Sequence, residues 1–408
     1  MAGIPARVAL VSMHTSPAAQ PGTGDAGGMN VALRSLAGEL AGRGVQVDLL
    51  TRAAGDAIER RLDPGVVLHE LPAGPRGPIS KDELASVTDA FGEAIAVLAA
   101  RPNARFDLIH AHYWLSGIAS LPVALEFGLP FVQSFHTLAA MKNSLGAAAA
   151  PSESERRVHS EAYLAGQATA IVAGSAAEAT FLIDSVRAPA DRVWVIPPGV
   201  DVDLFRPNRT EAHERVRAEL AIAPGRPILV VAGRVQPLKD QELAIRVLAA
   251  LHEGSRGDPV LVVVGEATPG DERYARDLRA LAADLGVAQD VRFVGALGRG
   301  ELAEVLTAAT LTLVTSQSET FGLVALESAA SGTPVVGFRG SGMVESISHG
   351  VSGVLVDSRD PREWAEAIAG LLGDSVLLAE LSESARHHAL GYTWAASATA
   401  LLGVYGSL

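Results

Sequence analysis

The sequence predicts an α/β protein built from two doubly wound, Rossmann-like domains with a cleft between them. Three observations predict it. Short β-branched runs alternate with longer helical patterns, the alternation stops at a proline-rich stretch near the middle, and then it restarts. Strands alternating with helices form parallel βαβ units covered on both faces. At 408 residues the chain is too long for one ordinary core, so two domains of about 200 residues each is the natural division.

In the first half the strand candidates are Arg7–Ser12, Val45–Thr51, Val66–Glu70, Leu108–Ala111, Phe131–Phe135, Ala170–Ala173 and Val193–Ile196. Helical patterns lie between them at Gly28–Arg43, Lys81–Ala100, Ser152–Ala168 and Ala176–Ser185. The break spans Pro197–Pro227, where prolines and glycines interrupt any period. Strands follow at Ile228–Ala232, Val260–Val264, Val291–Val294, Leu311–Val314 and Pro334–Gly337, with helices from Lys239, through Leu285 and from Phe321. Three more helical patterns close the chain, at Pro361–Leu372, Val376–Leu390 and Trp394–Gly406. One domain does not need all of them, so the expected division is 1–197, 198–385 and a terminal segment 386–408 that returns to the first domain.

Composition narrows the function. Cysteine is absent, which excludes disulfides, thiolate metal sites and cysteine nucleophiles. A formal net charge of −13 argues against broad nucleic-acid binding, which needs a basic face. No apolar run reaches the roughly 18–20 residues that span a bilayer, and no secretory leader is apparent. A cytoplasmic protein without a membrane anchor is the expectation.

Ligands of doubly wound sheets bind beyond the carboxyl ends of the strands, so those loops carry the chemistry. The first strand runs into a loop holding Gly22, Gly24, Gly27 and Gly28, just before a helix whose N–H groups favour an anion. A flexible βα loop reads equally well at this point. A nicotinamide site does not, because a long loop precedes these glycines instead of a tight turn. His110, His112, His136 and Lys142 cluster at neighbouring strand ends. Their convergence favours a working role for His136; a zinc site is the rival, without carboxylates at metalloprotease spacing.

In the second half, Arg234 and Lys239 stand five positions apart after the first strand, suited to a pyrophosphate. Surface ion pairs are the plain alternative. Glu319 and Glu327 stand eight apart in Ser318-Glu-Thr-Phe-Gly-Leu-Val-Ala-Leu-Glu327. Main-chain donors at Thr320–Leu323 and an acid facing a ribose diol fit a nucleotide better than a solvated helix face.

The Glu319–Glu327 pair, the Gly233-Arg234…Lys239 loop and the Gly199-Val-Asp201…Phe205 linker together resemble glycosyltransferase family 4, of GT-B fold, over residues 7 to 405. The loops beginning at His14, His112 and His136 more closely resemble the members that join N-acetylglucosamine from UDP-GlcNAc to 1D-myo-inositol 3-phosphate, the first committed step of mycothiol biosynthesis. The resemblance implies retention of anomeric configuration, with His136, Glu319, Arg234 and Lys239 as the catalytic set. It implies donor contacts from Gln20, Pro21, Gly28, Arg234, Lys239, Leu297, Glu319 and Glu327. It implies an acceptor phosphate held by Lys81, Tyr113, Thr137 and Arg157, with His14, Asp25, Ala26, Gly27, Gly28, Met29 and Asn30 around the inositol. It further implies a homodimer and a structural Mg2+ at Leu306, Thr307, Ala309 and Thr333, no metal being needed for the chemistry. The sequence departs from that pattern at Ser160, at Gly265-Glu266, at Thr307 and in the alanine-rich loop Gly146–Pro151. Another acceptor, a UDP-sugar epimerase and a non-catalytic sugar-nucleotide-binding protein are the alternative readings.

Overall fold

The computed structural model describes residues 3–102, 105–144, 153–207, 210–254, 258–340 and 342–408, without the side chains of 81, 82 and 210. Two sheets organise it. The first contains β1 (Arg7–Val11), β2 (Gln46–Arg52), β3 (Ile58–Asp63), β4 (Val66–Leu71), β5 (Leu108–His112), β6 (Phe131–Ser134), β7 (Ala170–Ala173) and β8 (Val193–Val195). Their order across the sheet is β3-β4-β2-β1-β5-β6-β7-β8. Only β3 runs antiparallel, paired with β4.

The second sheet contains β9 (Ile228–Ala232), β10 (Val260–Val264), β11 (Val291–Gly295), β12 (Leu311–Val314), β13 (Val335–Phe338) and β14 (Gly353–Val356), in the order β11-β10-β9-β12-β13-β14. All its pairings are parallel. β10 reads Val-Leu-Val-Val-Val and is buried throughout, as a strand covered on both faces must be. In each sheet the chain order reverses beside the first strand, with β1 between β2 and β5 and β9 between β10 and β12. The crevices at those reversals are where α/β sheets bind ligands, and the two crevices face each other.

Two strands went unread in the sequence. β3 is mostly exposed, so Ile58-Glu-Arg-Arg-Leu-Asp63 carries no apolar alternation. β14 is only four residues long. The helix Trp114–Phe127 contains Pro122 and is apolar nearly all round, which removes both of the usual helix signals. The pattern Lys81–Ala100 divides into Lys81–Leu84 and Thr88–Ala99.

The chain crosses between the sheets twice. Near Pro197–Val200 it leaves the first, and the Val200 N–H bonds the Tyr392 carbonyl (2.9 Å) where the chain returns. The helix Ser375–Ala389 runs through residue 386 and keeps Ala385 and Ala389 in the core formed with Phe205 and Leu326. The return segment therefore begins later than the sequence division placed it, with the helix Trp394–Tyr405. Ala398, Leu401, Val404 and Tyr405 pack with Val8, Leu10, Leu40 and Val132 as part of the first-sheet core. No helix among the described residues is long and apolar enough to cross a membrane.

Candidate active site

A cavity of about 410 Å³ opens between the carboxyl ends of the two sheets. The glycine-rich loop forms one lip. Asn30 is 2% exposed and its amide ties the loop together: Oδ1 accepts from the Gly27 N–H (2.9 Å), while Nδ2 donates to Thr15 Oγ1 (2.9 Å) and the Ser16 carbonyl (2.7 Å). Asn30 lines the cleft, yet its polar atoms serve the loop. Gly28 meets Leu323 of the opposite half so closely that a Cβ would lie 3.1 Å from Leu323 Cδ1.

Histidines form the floor. Parallel pairing sets His112 beside Ser134 at the ends of β5 and β6, and the chain then turns so that His112 Nδ1 lies 2.8 Å from His136 Nε2. His110, two residues back on the same face, touches Tyr405 Oη (2.7 Å) and Ser134 Oγ (3.0 Å). Burial drives His110 down to about 3 and His136 to about 4, and holds His112 well below its ordinary value. All three rings are neutral near pH 7. Two residues here have positive φ without being glycine, Tyr113 (75°) and His136 (60°). Such backbone strain collects at ligand sites.

Arg157 organises a second wall. It is 3% exposed and donates to the Thr137 carbonyl and Oγ1 (both 3.0 Å) and to Glu161 Oε1 (2.7 Å). Its guanidinium lies 4.8 Å from the Tyr113 ring centre and pairs with Glu153 (2.7 Å). Tyr113, Thr137 and Arg157 are thus brought together, but Tyr113 and Thr137 line the cleft while Arg157 stands behind them. Among the described residues Lys142 is the cation that lines this wall, 2.8 Å from Glu153. Lys81 begins its short helix, with a side chain outside the described residues, as is the loop 146–151.

The second half supplies the opposite wall. Arg234 follows β9 and lies 3.5 Å from Asp25 across the cleft. Its carbonyl is held by Gln241 Nε2 (2.9 Å). Lys239 pairs with Glu319, whose same oxygen accepts from Ser316 Oγ (2.6 Å). Gly322 caps the helix Leu323–Ala330 with φ 90°, and a Cβ there would lie 2.7 Å from Met343 Sδ. Glycine is the residue that fits. One turn on, buried Glu327 pairs with Arg299, and burial raises its carboxyl above the usual range. Thr320 Oγ1 donates to the His136 carbonyl, and Glu345 accepts from the Ala176 (2.9 Å) and Ala177 (3.1 Å) N–H groups. These contacts join the two halves around the cleft.

Of the residues expected from the sequence, His14, Pro21, Asp25, Gly27, Gly28, Met29, Asn30, Tyr113, His136, Thr137, Arg234, Lys239, Leu297, Glu319 and Glu327 line one cavity. Gln20, Ala26 and Arg157 do not. Sequence reasoning missed Arg299 and Glu178. Arg299 begins a helix just past β11, where the strand-end rule points. Glu178 is buried, accepts from the Gly174 N–H (2.7 Å), and is pushed up to about 7 by burial.

At the expected metal position, Thr333 Oγ1 donates to the carbonyls of Leu306 (2.6 Å) and Ala309 (3.5 Å), and Thr307 donates to the Arg206 carbonyl (3.1 Å). These are buried oxygens of the hard type that Mg2+ takes. Among the described residues no group of three or more His, Asp or Glu side chains could hold a metal ion.

Residues 26–204 match the family described as Glycosyltransferase Family 4 and residues 212–388 match Glycosyl transferases group 1. The D-inositol 3-phosphate glycosyltransferase of Acidothermus cellulolyticus is 42% identical over 98% of this chain and 90% of its own length. That of Stackebrandtia nassauensis is 42% identical over 98% and 91%. Among solved structures, sucrose-phosphate synthase from Thermosynechococcus elongatus superposes with a TM-score of 0.89 at 29% identity, covering 98% of both chains. HepE from Anabaena, solved with UDP and glucose, gives 0.80 at 20% identity, covering 98% of this chain and 99% of its own, and supports the GT-B fold. With both glycosyltransferase domains in tandem and that identity held from end to end, the chain belongs to the family of D-inositol 3-phosphate glycosyltransferases.

Proposed function

We propose that the protein is a retaining glycosyltransferase that moves N-acetylglucosamine from UDP-GlcNAc to 1D-myo-inositol 3-phosphate, acting as a cytosolic homodimer. One observation carries the reading: a single cleft has Arg234, Lys239, Glu319 and Glu327 on one wall, and Tyr113 and Thr137, backed by Arg157, on the other. The first wall suits a sugar nucleotide and the second a phosphorylated acceptor.

Arg234 and Lys239 stabilise the charge that grows on the departing UDP, fixed cations in a closed site being effective at that task. Glu327, oriented by Arg299, accepts from the ribose diol. Glu319 and His136 hold hydroxyls of the sugar. The inositol hydroxyl attacks the anomeric carbon from the face that UDP leaves: the new C–O bond forms as the bond to the phosphate oxygen breaks, and the acceptor proton passes to that oxygen. Tyr113, Thr137 and Lys142 meet the acceptor phosphate, with the charge of Arg157 behind them. A structural Mg2+, if bound by Leu306, Thr307, Ala309 and Thr333, would brace the second domain and take no part in transfer.

The test incubates the protein with UDP-GlcNAc, with and without the inositol phosphate. UDP release that requires the acceptor, and an α-linked product by NMR, is expected. Conversion of UDP-GlcNAc without acceptor overturns the reading in favour of an epimerase. Light scattering checks the dimer.

A further inference from the structure

The three neutral histidines on the cleft floor can be given definite proton positions, because their neighbours leave few choices. A neutral imidazole has one donor and one acceptor nitrogen, and the hydrogen bond at one fixes the other. Ser134 Oγ donates to the Val172 carbonyl (3.1 Å), so it must accept from His110 Nε2 (3.0 Å). His110 Nδ1 then accepts from the Tyr405 hydroxyl (2.7 Å).

The 2.8 Å contact between His112 Nδ1 and His136 Nε2 holds a single proton. His112 Nε2 is buried with no hydrogen-bond partner among the described residues. Were His136 the donor, His112 would carry its proton on Nε2, as a buried N–H with nothing to accept it. With His112 as the donor, the orphan is a lone pair. Buried N–H groups without partners are the rarer of the two in folded proteins. The proton therefore sits on His112 Nδ1, and the proton of His136 is displaced to its own Nδ1.

We infer that His112 is a positioning residue: by donating to His136 Nε2, it makes His136 a fixed Nδ1–H hydrogen-bond donor to the substrate and removes it as a base. This rests on the proposed placement of His136 against the sugar nucleotide. The geometry is held from three sides. His136 has φ 60°, its carbonyl is gripped by Thr320 Oγ1 from the other domain, and its ring lies edge to edge with that of His112, centroids 5.1 Å apart and planes 26° apart. Its Nε2 lone pair is occupied by His112, so His136 cannot take the acceptor proton, which in the proposed reaction leaves with the phosphate oxygen of UDP.

The full-length protein labelled with 15N tests this by long-range 1H–15N correlation, with His136 identified by the signal lost in His136→Gln. A His136 ring protonated at Nδ1 and unprotonated at Nε2 is expected; the reverse pattern overturns the inference. His112→Ala should release the tautomer and lower kcat by about 10- to 100-fold, the scale of a lost orientation, with a smaller change in the KM for UDP-GlcNAc. His112→Asn, whose side-chain N–H can replace Nδ1–H, should restore the Nδ1–H signature and most of kcat. If His136 keeps its Nδ1 proton in the alanine variant, His112 does not set it. The NMR signature needs no substrate, so a parent enzyme inactive on UDP-GlcNAc and inositol phosphate would sink the proposed function and with it the donor role of His136, while the tautomer set by His112 would still be read directly.

Discussion

Arg234 reaches across the cleft to within 3.5 Å of Asp25, so a cation of the second domain meets a carboxylate of the glycine-rich loop of the first. Arg234 is also one of the two cations proposed to meet the leaving diphosphate. Arg234→Ala should lower turnover at saturating donor by about 100- to 1,000-fold, as losing one preorganised electrostatic contact does elsewhere. Steady-state assays with both substrates saturating check it, and unchanged kcat would remove Arg234 from the reaction.

Arg157 acts through its fork, with two bonds to Thr137, one to Glu161 and a face on Tyr113. Arg157→Lys keeps the charge and loses that shape. The KM for the inositol phosphate should rise by about 10-fold, close to the loss of one charge-assisted hydrogen bond, while the KM for UDP-GlcNAc stays put. Equal rises for both substrates would show that Arg157 holds the fold and not the acceptor wall.

Glu178 makes stability depend on pH. Its carboxyl is raised from 4.5 to about 7 because burial penalises the charged form. The folded state then binds the proton more tightly than the unfolded state, so this contribution is full below about pH 4.5 and is lost as pH rises through 7. Glu178→Gln stays neutral at every pH. Melting curves of the two proteins should diverge in favour of the variant between pH 5 and 8, by on the order of 1–3 kcal/mol. The histidines, common to both, cancel in the difference. A constant gap would show that Glu178 is ionised throughout.

Tyr405→Phe removes the hydroxyl that His110 Nδ1 needs. Leaving that buried nitrogen unpaired should cost about 1–3 kcal/mol, seen as a lower Tm. An unchanged Tm would mean that the Tyr405 ring alone holds the last helix.

Much of this site could be read from residues because the motifs fall at strand ends, and strands announce themselves by β-branched runs such as β10. Proximity across the chain could not. His112 and His136 are adjacent because the β5–β6 register sets His112 beside Ser134. Arg299 meets Glu327 because the helix Arg299–Ala308, crossing from β11 back to β12, packs against the helix Leu323–Ala330. The burial of Arg157 was equally hidden. A basic residue in a helical pattern reads as exposed, and only Glu153, Glu161 and the Tyr113 ring explain why it is not.

The helix Trp394–Tyr405 gives the order of synthesis a physical consequence. The first sheet and its histidines leave the ribosome roughly 200 residues before the segment that covers them, an interval of roughly 10–40 s at the usual rate of elongation. During that time Val8, Leu10 and Val132 lack their final cover and His110 lacks its phenol. The nascent first domain must wait, partly uncovered, for the last helix of the chain to complete its floor.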